Sequence, residues 1–182
     1  MSWRKFFGME KEPEKVVERT PQTLQVGDVV SYQDEDYFVE QRIEYHGDGS
    51  DVWWDFLLVN PKDKYWLGVV EDEGLTLTLY QDIPFHPQMP PANPISYQDE
   101  LYHRKEYGFA NADIKKKSKL STRERVEYWD YESDSGKQLS IERWGDNVVR
   151  EDQSQMTGTL HCSIGDVIKP YRITILPGNP EG

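Results

Sequence analysis

Leu75-Thr76-Leu77-Thr78-Leu79-Tyr80 alternates apolar and hydroxylated residues at every step. Successive side chains of a strand point to opposite faces, so a period of two sends the leucines one way and the threonines the other. A helix would scatter the same leucines around its circumference. This stretch is a strand with one face on a core. Upstream, the chain repeats the pattern in short units. Glu71-Asp72-Glu73-Gly74 is a polar turn, and Lys64 to Val70 is the strand before it. Asn60-Pro61-Lys62-Asp63 is a tight turn, Trp53 to Val59 another strand, and His46-Gly47-Asp48-Gly49-Ser50-Asp51 a further turn cluster. Tyr37 to Tyr45 alternates again, and Leu24 to Tyr32 reaches it through the turn Gln33-Asp34-Glu35-Asp36. Short strands joined by short turns read as an antiparallel meander.

Downstream, Ile83 to Pro94 carries prolines at 84, 87, 90, 91 and 94. Proline fixes φ and lacks the donor a central strand needs, so this stretch reads as an extended linker. The meander then returns. Ser96-Tyr97-Gln98-Asp99-Glu100 repeats Ser31-Tyr32-Gln33-Asp34-Glu35, and Trp129-Asp130-Tyr131 echoes Trp54-Asp55-Phe56. These echoes point to an internal duplication, with a longer loop between the anchors of the second copy. The fold expected is all-β and mainly antiparallel: two related β-meander, small-barrel-like halves packed together as matching sheets around aromatic rings. The divisions are a leader or short helix over 1–21, a first half over 22–83, the linker over 84–94, a second half over 95–178 and a tail over 179–182. Gly145 to Gly158 reads as polar, and Thr159 to Ile175 returns to strands.

The composition narrows the function classes. Of 182 residues, 36% are hydrophobic and 13% aromatic, so the core leans on Trp, Tyr and Phe. A net charge of −12 and a pI near 4.8 disfavour general binding to nucleic acid. The single cysteine, Cys162, excludes an intramolecular disulfide. No run of about 18 apolar residues offers a membrane-spanning helix, and the N-terminus is too charged for a secretory signal. A cytoplasmic location is the default, with the periphery of the inner membrane as a second placement.

Catalytic patterns are missing. Cys162 follows His161, but neighbours on a strand face opposite ways, so the two cannot form a nucleophile–base pair. The histidines at 46, 86, 103 and 161 sit singly, without metal-ligand spacing. Neither a metal nor a cofactor is expected. With 33 acidic residues, some carboxylate pair always looks plausible, so paired acids carry no weight in the sequence. What stands out is aromatic and basic. Trp53 and Trp54 must face opposite ways, so one of them lines a groove, a second layer or a partner surface; Trp66, Trp129 and Trp144 belong to the same aromatic set. Lys115, Lys116, Lys117, Lys119, Arg123 and Arg125 crowd one stretch with only Glu124 among them. That stretch, a long hairpin tip or a mobile loop, suits an acidic partner, another copy of the chain or anionic lipid heads. Trp3, Phe6 and Phe7 could form a small membrane or partner foot.

Leu24-Gln25-Val26-Gly27-Asp28-Val29-Val30-Ser31-Tyr32, Trp53 to Leu58 and Tyr65-Trp66-Leu67 resemble the bacterial domain-of-unknown-function family 4178. Tyr128 to Tyr131, Leu139 to Gly145 and Ile175 to Gly178 add to the likeness, which spans residues 22 to 178. The resemblance implies a mainly β protein with no assigned reaction, encoded near membrane-stress proteins, and brings no active-site residues. The reading is a non-enzymatic binding or scaffold protein with a membrane-associated protein partner, self-association being a further option. Its rival is a small-ligand-binding or enzymatic module with an aromatic-lined groove between the halves. A concave pocket where tryptophan meets convergent polar groups would favour the rival.

Overall fold

The computed structural model describes residues 18–117, 119–145 and 158–178. Eleven strands make one antiparallel sheet: β1 (Val29–Tyr32), β2 (Glu35–His46), β3 (Val52–Val59), β4 (Lys64–Glu71), β5 (Leu75–Asp82), β6 (Ile95–Tyr97), β7 (Glu100–Lys116), β8 (Lys119–Ser133), β9 (Gln138–Trp144), β10 (Thr159–Ile168) and β11 (Ile173–Leu176). The order across the sheet is β11-β1-β2-β3-β4-β5-β10-β9-β8-β7-β6. One further pairing changes its shape. Gln41 to His46 of β2 lie antiparallel to Lys116 to Asn111 of β7. This closes β2, β3, β4, β5, β10, β9, β8 and β7 into a ring, each strand bonded on both sides. Closure leaves no unpaired edge within the ring, and the short strands β6 and β11, each paired on one side only, remain as the edges of the sheet.

The two strands that close the ring each change face at a bulge. In β2 the register slips between Val39 and Gln41, and in β7 between Arg104 and Glu106. An extra residue on one strand reverses which side chains face which way beyond it. Tyr37 and Val39 therefore pack outside the ring, whereas Ile43 and Tyr45 point into it. Tyr102 likewise lies outside, and Ala110, Ala112 and Ile114 lie inside. Three cores result. One, on the outer face of β2 to β5, holds Leu24, Val30, Phe56, Leu58, Leu67, Leu77 and Leu79. Another, outside β7 to β10, holds Ile95, Tyr102, Trp129, Tyr131, Leu139, Ile141 and Cys162. The third fills part of the interior with Ile43, Tyr45, Ala110, Ala112, Ile114, Val126 and Tyr128.

The leucines of β5 enter the first outer core as the alternation requires, and Thr78 turns inward opposite Gly68. The picture of two sheets pressed together gives way to one continuous sheet, because β5 pairs directly with β10 and β2 with β7. The basic stretch is the far end of a hairpin, β7 paired with β8 from Tyr102–Ser133 to Lys116–Lys119. No helix among the described residues is long and apolar enough to cross a membrane.

The repeated pentapeptides build the same turn twice. Gln33 and Asp34 have φ of 51° and 63°, and Gln98 and Asp99 have 49° and 62°. Both central residues are left-handed, the two-residue turn that matches strand twist and favours Asn-Gly. A Cβ is strained there, so Asp34→Gly and Asp99→Gly should each stabilise the fold by about 0.5–1 kcal/mol. Urea unfolding would show this as a higher midpoint at unchanged slope.

Candidate ligand-binding cavity

Inside the ring the side chains do not fill the space. A cavity of about 280 Å³ is lined from every one of the eight strands. Gln41, Ile43 and Tyr45 come from β2, Asp55 from β3, Trp66 from β4, and Tyr80 and Asp82 from β5. Across from them stand Ile114 and Lys116 of β7, Glu124 of β8, Ser140, Glu142 and Trp144 of β9, and Thr159, His161 and Ser163 of β10. Lys116, Asp82 and His161 are exposed. Asp55, Tyr80 and Glu142 are only partly accessible. Glycines on neighbouring strands leave room for the Tyr80 ring. A Cβ on Gly68 would lie 3.1 Å from it, and one on Gly165 only 2.6 Å.

The polar groups converge on one phenol. The Tyr45 hydroxyl lies 2.9 Å from Asp55 Oδ2 and 3.2 Å from Glu142 Oε1. A phenol carries one proton and can donate to only one carboxyl oxygen at a time. The second short O···O contact needs a proton from the other carboxyl. Geometry alone therefore favours at least one protonated acid. Trp144 Nε1 donates to Glu142 Oε2 at 2.9 Å, and Ser140 hydrogen-bonds Asp130, its cross-strand neighbour on the same face.

Electrostatics agrees. Burial, with the charge of Asp130 adding to it, pushes Asp55 up to about 7, against the pull of the Tyr45 hydrogen bond. Burial and the neighbouring Asp55 push Glu142 up to about 8. Asp130 rises to about 6, chiefly through burial and against the pull of its Ser140 hydrogen bond. The two carboxyls that share Tyr45 titrate as a pair rather than singly. Burial also lifts the Tyr45 and Tyr80 phenols well above their ordinary value. Among the described residues no lysine or arginine forms an ion pair with Asp55, Asp130 or Glu142. No group of three or more His, Cys, Asp or Glu among them is placed to hold a metal ion.

Aromatic rings form the walls. Trp53 stacks on Tyr45 with centroids 5.1 Å apart and planes 8° from parallel, and Trp144 lies 5.9 Å from Tyr45. Trp66 and Tyr80 are direct cross-strand partners. Trp53 and Trp54 do face opposite ways: Trp53 packs on the interior core and Trp54 on the first outer core. Trp129 is not a surface residue. It is 1% exposed in the second outer core, because its outward face is covered there. Cys162 lies in the same core, and burial pushes its thiol up to about 11.

Among the basic residues whose side chains are described, Arg123 and Lys117 lie beside acids. Arg123 makes two hydrogen bonds to Asp113, at 2.6 and 2.7 Å. Lys117 lies 3.8 Å from Glu40 and over the Phe38 ring, and Arg125 sits over the Phe109 ring. Lys115 and Lys116 are exposed on opposite faces of β7, Lys116 lining the cavity. Trp3, Phe6 and Phe7 lie outside the described residues, as does the stretch 146–157 between β9 and β10.

Sequence reasoning missed Asp55, Asp130, Glu142, Tyr45 and Tyr80. A signal existed. The repeated triplets Trp54-Asp55-Phe56 and Trp129-Asp130-Tyr131 each place an acid at a strand centre between aromatics, where a solvated acid has no reason to be.

An all-β ring with a lined interior defines a class of architecture, and similarity to known sequences places the chain within a family. Residues 25–153 match the family described as domain of unknown function (DUF4178), and the chain belongs to that family. No curated protein and no solved structure matches.

Proposed function

We propose that this chain is a small-molecule-binding protein whose ligand sits inside the strand ring. The observation that carries the reading is the cavity itself: ringed by eight strands and partly open to solvent, walled by Tyr45, Trp66 and Trp144, with carboxyls and hydroxyls converging on it. Small-ligand sites combine apolar and aromatic walls with placed polar groups, and here Ile43, Tyr45, Trp66, Tyr80, Ile114 and Trp144 share the lining with a larger number of polar side chains. Docking through the basic hairpin draws less support, since Arg123 is held by Asp113 and Lys117 lies near Glu40.

Trp66 and Trp144 supply the test. A panel of compounds about the size of a substituted benzene ring, followed by intrinsic fluorescence, should give binders that raise the melting temperature. Ser163→Leu, which extends a side chain into the cavity from β10, should weaken them by at least roughly tenfold. Binders indifferent to this change, or none at all, would remove the interior as the site.

A further inference from the structure

Resting on that reading, the lining also specifies the ligand's chemistry. We infer that the cavity takes a small organic cation, an amine with a compact hydrocarbon body, its ammonium held between Asp55 and Glu142 and its body against Tyr45, Trp66 and Trp144.

What the acids lack is a positive charge. Among the described residues the hydrogen-bond partners given for Asp55 and Glu142 are the Tyr45 phenol and the Trp144 indole, with no cation. A neutral ligand would be served as well by asparagine and glutamine. Two carboxyls flanking one phenol offer something an amide does not: they shed a proton when a positive charge arrives. An ammonium brings three donors, enough for both carboxyls, and gains further from aromatic faces beside it. A chain charge of −12 draws cations in and repels anions before contact is made. An engineered cavity of about 150 Å³ holds benzene, so this larger one accommodates an aminomethyl-substituted ring.

The charged and titratable groups facing the pair come from all sides. They are Tyr45 of β2, Tyr80 and Asp82 of β5, Lys116 of β7, Glu124 and Asp130 of β8, and His161 of β10. Burial already holds the pair partly protonated near neutrality. Binding of a cation therefore releases protons, and affinity rises with pH until the amine itself deprotonates, near pH 10 for an alkylamine of lysine type.

Matched probes isolate the charge: benzylamine, benzyl alcohol and benzoate, with cyclohexylmethyl and butyl amine–alcohol pairs beside them. At about pH 8, benzylamine should bind at least roughly tenfold more tightly than benzyl alcohol, and benzoate should not bind. Calorimetry in buffers of different ionisation enthalpy should show proton release with the amine and none with the alcohol. Asp55→Asn with Glu142→Gln should erase the preference for amine over alcohol. Alcohols that bind as tightly as their amines would overturn the inference and leave the cavity reading standing. Failure of every amine and every alcohol to bind would overturn both.

Discussion

Asp55→Asn combined with Glu142→Gln will make the protein more stable than wild type at about pH 8.5 and leave it nearly unchanged at about pH 3.5. Both acids have folded values above those of the unfolded chain, 3.8 for Asp and 4.5 for Glu. Between those values and about 8 the folded state binds more protons than the unfolded one, so each rise in pH favours unfolding. The stability these groups permit is complete below about pH 4 and is lost as pH climbs through their folded range. A tenfold difference in proton affinity between the folded and unfolded states corresponds to about 1.4 kcal/mol. Allowing for coupling and for cavity access to water, the wild type should lose on the order of 3 kcal/mol across that window through this pair. The amides mimic the protonated acids in size and hydrogen bonding, so the double variant keeps the low-pH stability and escapes the loss. Denaturant unfolding at the two pH values measures it. Parallel loss in both proteins would show that the pair does not carry the effect.

The second large effect lies outside the ring. Glu127 and Arg143 face each other on β8 and β9, 2% and 6% exposed, and their side chains are in direct contact. Tyr107 donates to the other Glu127 oxygen at 3.0 Å, and the Arg143 guanidinium lies 5.5 Å from the Trp129 ring centre. Removing one partner of a buried pair strands the other charge away from water, typically at about 3–5 kcal/mol. Glu127→Ala and Arg143→Ala should each cost that much. Glu127→Leu with Arg143→Met should recover most of it, because apolar side chains of similar volume carry no desolvation penalty. Thermal unfolding of the set reads the cycle. A double variant as unstable as the singles would mean that packing, not charge, dominates this position.

These two sites explain what could be read from the chain and what could not. The Leu/Thr alternation of β5 and the short turns between strands are local, so the all-β antiparallel character was legible. Ring closure was not, because it depends on β2 meeting β7 far along the chain. The bulges hid it further. Tyr37, Val39, Gln41, Ile43 and Tyr45 keep an unbroken period of two in sequence, yet the slip after Val39 sends the first two outward and the last three into the ring. The acid pair was illegible for a related reason. Asp55 and Glu142 lie on strands far apart in the chain and meet only through Tyr45 on a third strand. Arg143 and Glu127 resembled ordinary surface charges, since nothing in one strand reveals that its outer face is covered. In the basic stretch the pairing of Arg123 is local: Asp113, its partner, sits just upstream on the facing strand of the same hairpin.

Both the ligand and the pH behaviour depend on an interior, shielded from bulk water, that holds Asp55 and Glu142 around one phenol proton. Carbon-13 labelling of the side-chain carboxyls, followed by NMR through a pH titration, reads that directly. Such an interior should give two coupled carboxyl resonances, assigned by Asp55→Asn and Glu142→Gln, with midpoints above about pH 6. If both acids titrate below about pH 5 with the solvated carboxylates, they face open water and the shielded interior does not exist.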